Sequence, residues 1–140
     1  MAHAIFDFEA TRRGRLVNVL SAGVWSGFEG ELAAKEARII CDRHGTPMPK
    51  FVSTHIATED LAAATRVFVM EHSHVAALAT DSRISPKRIS LLGEFDPQRR
   101  GPEIDDPIGQ DTAAFERCYE RLRDCIVHYL DTTDDFDSAT

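Results

Sequence analysis

Apolar and polar residues follow one another along this chain in blocks that are typical of helices and buried strands. Residues 16–23 form a β-rich run that ends at a glycine, which predicts a strand followed by a loop. Uninterrupted apolar runs at residues 66–70 and 88–92 predict two further strands of the kind buried in parallel sheets. Residues 1–13 and 31–43 place apolar side chains at helical spacing. Because helices and strands alternate, the pattern predicts an α/β fold with a small parallel sheet flanked by helices.

The chain also carries two predicted short helices, at residues 58–64 and 74–80, and a long one at residues 112–130. The long helix carries an apolar stripe at spacings of three and four, made of Phe115, Cys118, Leu122, Cys125, Ile126 and Tyr129. Residues 131–140 are acidic and polar. We therefore predict one domain over residues 1–130 and a disordered acidic tail over residues 131–140.

The charge and composition of the chain argue against several classes of protein. The net charge of −7 and the isoelectric point near 5.3 argue against partners such as nucleic acids or anionic membranes, which need a basic surface. No apolar run approaches the roughly 20 residues of a membrane span, and the first residues do not resemble a secretory signal. Three cysteines without a framework spacing argue against a disulfide-linked secreted fold. We predict a cytoplasmic protein.

Asp106 is the clearest candidate for chemistry. Pro107 follows it directly, which disfavours helical backbone at Asp106, and Gly109 allows a turn. Asp111 is placed to cap the last helix. The side chain of Asp106 is thereby presented near the carboxyl end of a strand, where open α/β sheets bind ligands. Asp106 is either a turn residue or an acid that takes part in a reaction.

Five segments occur in the order found in one known family, and together they cover almost the whole chain to about residue 130. They are Met1-Ala2-His3-Ala4, Leu20-Ser21-Ala22-Gly23, Val67-Phe68-Val69-Met70 with Ser73-His74, Leu91-Leu92-Gly93-Glu94-Phe95 and Asp106-Pro107-Ile108-Gly109. The chain therefore resembles the low-molecular-weight protein tyrosine phosphatases. The resemblance implies a three-layer fold of the phosphotyrosine protein phosphatase I type, Asp106 as general acid, and no cofactor. It also implies a phosphotyrosine protein or a small aryl phosphate as substrate.

The nucleophile of that family is missing from the sequence. In the family a Cys-x5-Arg loop precedes the first helix, its thiolate attacks phosphorus, and its arginine and backbone N–H groups bind the phosphate oxygens. Here the sixth residue after Cys41, Cys118 and Cys125 is Pro47, Asp124 and Asp131, respectively. We expect a truncated family member without its first, interior strand and phosphate loop, inactive as given. The alternatives are an active phosphatase whose true start lies upstream and a non-catalytic binding or regulatory homologue.

Three further expectations concern binding. Trp25 either forms a wall of a phosphotyrosine cleft or anchors its glycine-rich loop. Many family members carry an aromatic residue at the position of Ile108, so an aliphatic side chain there weakens recognition of an aryl phosphate. His72-Ser73-His74 lacks further ligands at suitable spacing, so we expect no metal site.

The resemblance also predicts that loss of an interior strand exposes strand edges, through which the chain would form oligomers.

Overall fold

The computed structural model describes residues 1–24, 30–48, 53–58 and 60–136. Its helices are α1 (Ala2–Arg12), α2 (Lys35–Arg43), α3 (His72–Leu78) and α4 (Thr112–Thr132), and its strands are β1 (Val67–Val69) and β2 (Ile89–Leu91). Short 3-10 turns occupy Ile56–Thr58, Leu61–Ala63, Pro86–Arg88 and Leu92–Phe95.

The strands β1 and β2 form a parallel pair in which Phe68 lies opposite Ser90. Successive side chains of a strand point to opposite faces, and β1 buries both. Phe68 packs with α1 and α4 in the larger apolar cluster, whereas Val69 joins the smaller cluster with Leu78 of α3. Helical layers therefore cover both faces of the strand pair, which confirms the predicted α/β fold with a small parallel sheet.

The long helix α4 forms as its sequence predicts. Asp111 caps it by accepting a hydrogen bond from the backbone N–H of Ala114 at 2.9 Å. The predicted stripe is buried except for the half-buried Cys118. Tyr119 lies outside that stripe but is only 1% exposed, and its hydroxyl is 2.7 Å from the hydroxyl of Thr46. The hydrogen bond with Thr46 allows Tyr119 to be buried, so the buried face of α4 is wider than the predicted stripe.

The strand predicted at residues 16–23 is not formed. Residues 14–20 alternate between exposed and half-buried positions, as in a strand, and Val17 packs against the larger core cluster. Leu16 is fully exposed and Leu20 is 58% exposed. Within the described ranges, no backbone hydrogen bond joins residues 16–20 to a neighbouring strand, and only Gly23 forms an isolated bridge, to His55. These residues have the alternating exposure of a strand but, within the described ranges, lack the ladder of hydrogen bonds that defines one.

Three other predicted boundaries differ from the structure. The helix expected from residue 31 begins at Lys35, and the helix expected from residue 74 begins at His72. The helix predicted over residues 58–64 is instead two 3-10 turns. Asp60 explains this break, because its side chain accepts a hydrogen bond from the N–H of Ala63 at 3.3 Å and starts a new turn.

The helix α4 continues to Thr132, and the residues after it contact the body of the domain. Asp135 accepts hydrogen bonds from Nε of Arg66 at 3.0 Å and from the hydroxyl of Tyr129 at 2.6 Å. The Phe136 ring lies 4.7 Å from the guanidinium carbon of Arg15. Residues 131–136 of the predicted tail are thus described and packed, while residues 137–140 lie outside the described ranges. No helix in the described part is long and apolar enough to cross a membrane.

Candidate functional site

The loop that carries Asp106 lies at the carboxyl end of β1. The N–H of Ile104 donates a hydrogen bond to the carbonyl of Met70, one residue beyond the strand, at 2.9 Å. On its other side the loop meets α4, where the thiol of Cys118 is 3.9 Å from the carbonyl oxygen of Asp105. The loop is therefore fixed between the end of β1 and α4.

The carboxyl group of Asp106 is exposed and organises its own turn. Its Oδ1 accepts a hydrogen bond from the N–H of Ile108 at 2.9 Å, and Gln110 Nε2 donates to its carbonyl at 3.3 Å. Gly109 closes the turn with a φ of +76°, which glycine adopts without strain. Both readings of Asp106 remain: the side chain shapes the turn, and it is also open to a ligand.

The start of α1 lies beside this turn. Burial lowers the pKa of the Met1 α-amino group, while the neighbouring Cys41, Cys118 and Asp106 oppose that shift. Met1 makes no side-chain hydrogen bond that caps α1, and the start of this helix carries unpaired N–H groups and the positive end of the helix dipole. His3 Nδ1 is 3.0 Å from the Ser21 hydroxyl, which joins this region to the extended residues 16–23. A helix N-terminus and a carboxyl group thus meet here, an arrangement that suits binding and protonation of an anion.

None of the three cysteines is prepared to act as a nucleophile. Cys41 and Cys125 are fully buried, and burial raises the pKa of Cys41 and raises that of Cys125 to about 11. Burial also raises the pKa of Cys118 to about 11, and the carboxylates of Asp106 and Asp105 act in the same direction. A reactive cysteine needs a lowered pKa, so these thiols remain protonated near neutral pH.

The two other predicted binding residues have different outcomes. Ile108 is 63% exposed and is held next to Asp106 by the hydrogen bond from its own N–H. Its side chain is therefore available to a ligand at this turn. Trp25 lies outside the described residues.

The His72-Ser73-His74 segment has a structural role that the sequence did not indicate. The backbone N–H of His72 donates to Glu103 Oε1 at 2.8 Å, and His72 Nδ1 is 2.9 Å from the same oxygen. His74 Nδ1 accepts from the N–H of Met70 at 3.4 Å. These contacts tie the start of α3 to the loop before Asp106. In the ranges that the structure describes, no three His, Cys, Asp or Glu side chains form a group that could hold a metal ion.

The fold and this region define an α/β protein with an acidic loop and a helix N-terminus at the carboxyl end of its parallel strands. The chain belongs to the low molecular weight phosphotyrosine protein phosphatase family, whose model matches residues 1–135. This confirms the resemblance seen in the sequence.

Individual relatives agree with this assignment. The chain is 25% identical over 126 residues to the protein-arginine-phosphatase of Bacillus subtilis (strain 168), covering 90% of this chain and 82% of that protein. It superposes on a low molecular weight protein tyrosine phosphatase from T. tengcongensis with a TM-score of 0.84 at 24% identity, over 94% of this chain and 88% of the other. A YwlE mutant from Bacillus subtilis gives a TM-score of 0.80 at 25% identity, over 93% and 86%.

Proposed function

We propose that these 140 residues form the acid-bearing part of a low-molecular-weight phosphatase site and do not hydrolyse phosphomonoesters by themselves. The observation that carries this proposal is a combination. Asp106 interacts electrostatically with the N-terminus of α1, yet no cysteine in the sequence begins a Cys-x5-Arg loop and burial keeps all three thiols protonated. The acid is present and its nucleophile is not.

The chemistry expected of such a site divides between two parts. A thiolate on a phosphate loop would attack phosphorus and form a cysteinyl-phosphate, while Asp106 would donate its proton to the leaving oxygen. The exposed carboxyl of Asp106 suits that role because the leaving group must reach it from solvent. The N-terminus of α1 would stabilise the negative charge of the phosphoryl group.

The family makes phosphotyrosine proteins and small aryl phosphates the first candidate substrates. Ile108 is exposed at this turn but, being aliphatic, contacts an aromatic ring less favourably than an aromatic residue would, and Trp25 remains our candidate for a wall of the cleft. A second candidate is phosphoarginine. It is supported by the aliphatic residue at position 108 and by a relative named as a protein-arginine-phosphatase.

Restoring the missing loop tests the proposal. A strand ending in Cys-x5-Arg-Ser-Pro, fused ahead of Met1, should make the chain turn over phosphotyrosine or phosphoarginine peptides, and the faster of the two identifies the substrate class. The chain without the fusion should show a rate lower by roughly 10⁴–10⁶, the usual effect of losing a nucleophile. Turnover by the unfused chain, abolished by Asp106→Ala, would contradict the proposal.

The non-catalytic alternative makes a different prediction with the same materials. A binding or regulatory module would retain a phosphopeptide without turning it over, and the fused loop would not create activity. Calorimetric titration of the unfused chain with a phosphotyrosine peptide distinguishes the two, since our proposal expects no saturable binding without the phosphate loop. We propose a cytoplasmic location for either form.

We also propose that the chain self-associates through unpaired strand edges. Among the described residues, 16–20 form no ladder hydrogen bonds and β1 pairs with β2 alone. A second copy can supply the missing backbone hydrogen bonds. Sedimentation at increasing concentration should show dimers or larger species.

A further inference from the structure

The hydrogen bonds of Asp106 shape its own turn but do not connect it to the rest of the fold. Within the described residues, its carboxyl accepts from the N–H of Ile108, two residues on, and its carbonyl accepts from Gln110, four residues on. Both partners belong to the same turn. The position of the carboxyl relative to the sheet therefore depends on how the adjoining residues are anchored.

Three consecutive residues before Asp106 supply anchors. Ile104 is 3% exposed in the larger core cluster, and its N–H donates to the carbonyl of Met70 at 2.9 Å. The carbonyl of Asp105 is 3.9 Å from the thiol of Cys118, a weak contact at that distance. Glu103 is exposed, and its side chain reaches the start of α3. Of the three anchors, the Glu103 side chain is the one that a substitution can remove without touching the core.

Glu103 accepts two hydrogen bonds with one oxygen. Its Oε1 lies 2.8 Å from the backbone N–H of His72 and 2.9 Å from His72 Nδ1. That N–H is the first of α3, where no intrahelical acceptor exists, and the N-cap residue Glu71 makes no side-chain cap hydrogen bond. Glu103 therefore supplies, from 31 residues away, an acceptor that the local sequence lacks.

The charge of Glu103 strengthens this contact. The backbone N–H of His72, and after it the imidazole, hold the pKa of Glu103 below its ordinary value, so the carboxyl is ionised at neutral pH. A hydrogen bond to an ionised acceptor is about twice as strong as one between neutral groups. The side chains of His72 and Glu103 are 64% and 46% exposed, so the pair adds little to global stability. Its main effect is to fix the position of the loop.

The same contact closes a network of three elements. Met70, at the end of β1, donates its N–H to Nδ1 of His74 at 3.4 Å and accepts from Ile104 through its carbonyl. The bond from Glu103 to His72 then joins the loop to α3 directly. The end of β1, the start of α3 and the loop before Asp106 are thus held together by contacts on each pair.

We propose that Glu103 is a positioning residue for Asp106, which it holds in place through the N–H and imidazole of His72. This inference rests on the proposed function, in which Asp106 donates its proton to the leaving oxygen as the bond from phosphorus to that oxygen breaks. A displacement of about 1 Å in such a group can lower a rate by about 100-fold. Glu103 acts through the loop and not on the substrate.

Four variants separate the contacts of Glu103. Glu103→Ala removes both hydrogen bonds. Glu103→Gln keeps an oxygen that can accept from the N–H of His72 but loses the charge, and His72→Ala keeps the N–H but loses the imidazole. Glu120→Ala, on an exposed position of α4, removes the same charge elsewhere and is the matched control. We expect the largest effect for Glu103→Ala, smaller effects for Glu103→Gln and His72→Ala, and none for the control.

The first measurement uses the chain as it stands and needs no activity. Amide hydrogen exchange of the ¹⁵N-labelled protein reports the hydrogen bond from Ile104 to Met70, next to Glu103. Glu103→Ala should speed exchange at Ile104 about 5-fold, the effect of losing one net hydrogen bond, and amides of α4 should not change. Unchanged exchange at Ile104 would overturn the proposal.

The second measurement uses the chain fused to the Cys-x5-Arg strand. Glu103→Ala should lower kcat/KM for phenyl phosphate about 10-fold and that for p-nitrophenyl phosphate by about 2-fold or less, because a good leaving group needs less protonation. Glu103→Gln should restore part of the phenyl phosphate rate. An inactive fusion would contradict the proposed function itself. An active fusion in which Glu103→Ala lowers both rates equally, as general destabilisation would, or lowers neither, would instead overturn the role of Glu103.

Discussion

Gly93→Ala tests how closely the loop before Asp106 is packed on the sheet. Gly93 is buried in the turn that follows β2. A Cβ at this position would lie 2.3 Å from the carbonyl oxygen of Pro102 and 2.8 Å from that of Gly101. Both are backbone atoms, so no side chain can rotate out of the way, and the loop itself must move.

The cost follows from what holds that loop. Arg121 donates to the carbonyl of Gly101 at 2.5 Å, and Ile104 donates to that of Met70 at 2.9 Å. Overpacking costs about 1–3 kcal/mol and each strained hydrogen bond about 1 kcal/mol, so we expect a loss of about 3 kcal/mol. In a domain of this size the melting temperature should fall by about 10 °C.

Thermal unfolding followed by circular dichroism measures this loss. Gly14→Ala is the matched control, because Gly14 has a φ of +69° and no atom within 4 Å of an added Cβ. Its cost is left-handed backbone strain alone, about 1 kcal/mol. Equal melting temperatures for the two variants would refute the argument that contact with the loop, rather than the backbone, requires glycine at position 93.

Two further predictions concern stability and assembly. Asp96 is buried, and hydrogen bonds from Arg100 lower its pKa from 3.8 to about 2, so the stability it contributes is present above about pH 4 and lost as the pH falls towards 2. Asp96→Asn should lower the free energy of unfolding by about 3 kcal/mol at pH 7 and make that free energy depend less on pH below about pH 4. An unchanged pH dependence in that range would exclude Asp96 as its source. Leu16→Lys with Leu20→Lys should reduce self-association through residues 16–20, measured by sedimentation, because charged edges resist strand pairing. Arg38→Lys provides the comparison, and unchanged association would place the interface elsewhere.

Features set by local sequence were predictable. The helix α4 could be placed because its stripe and the Asp111 cap lie within a few residues of one another. The Asp106 turn follows in the same way from Pro107 and Gly109. Such elements depend on neighbours in the chain, which the sequence displays directly.

Features set by distant contacts were not predictable from the sequence. Glu103 contacts the start of α3 from 31 residues away, and Tyr119 is buried through a hydrogen bond to Thr46, 73 residues away. Residues 16–23 have the composition of a strand, but a strand exists only when a neighbour supplies hydrogen bonds. The ion pairs of the buried Glu9 were missed for the same reason, because one of its partners, Arg123, reaches it from another helix.

The most direct test of the central claim measures kcat/KM for an aryl phosphate with a poor leaving group, using the chain fused to the Cys-x5-Arg strand. We expect turnover in the fusion, and a decrease of roughly 10²–10⁴ in Asp106→Asn, because the leaving oxygen then lacks its proton donor. Asp105→Asn, the adjacent exposed carboxylate, is the control and should retain the parent rate. Equal rates for the fusion and its Asp106→Asn variant would contradict the claim that this chain contributes the acid of a phosphatase site.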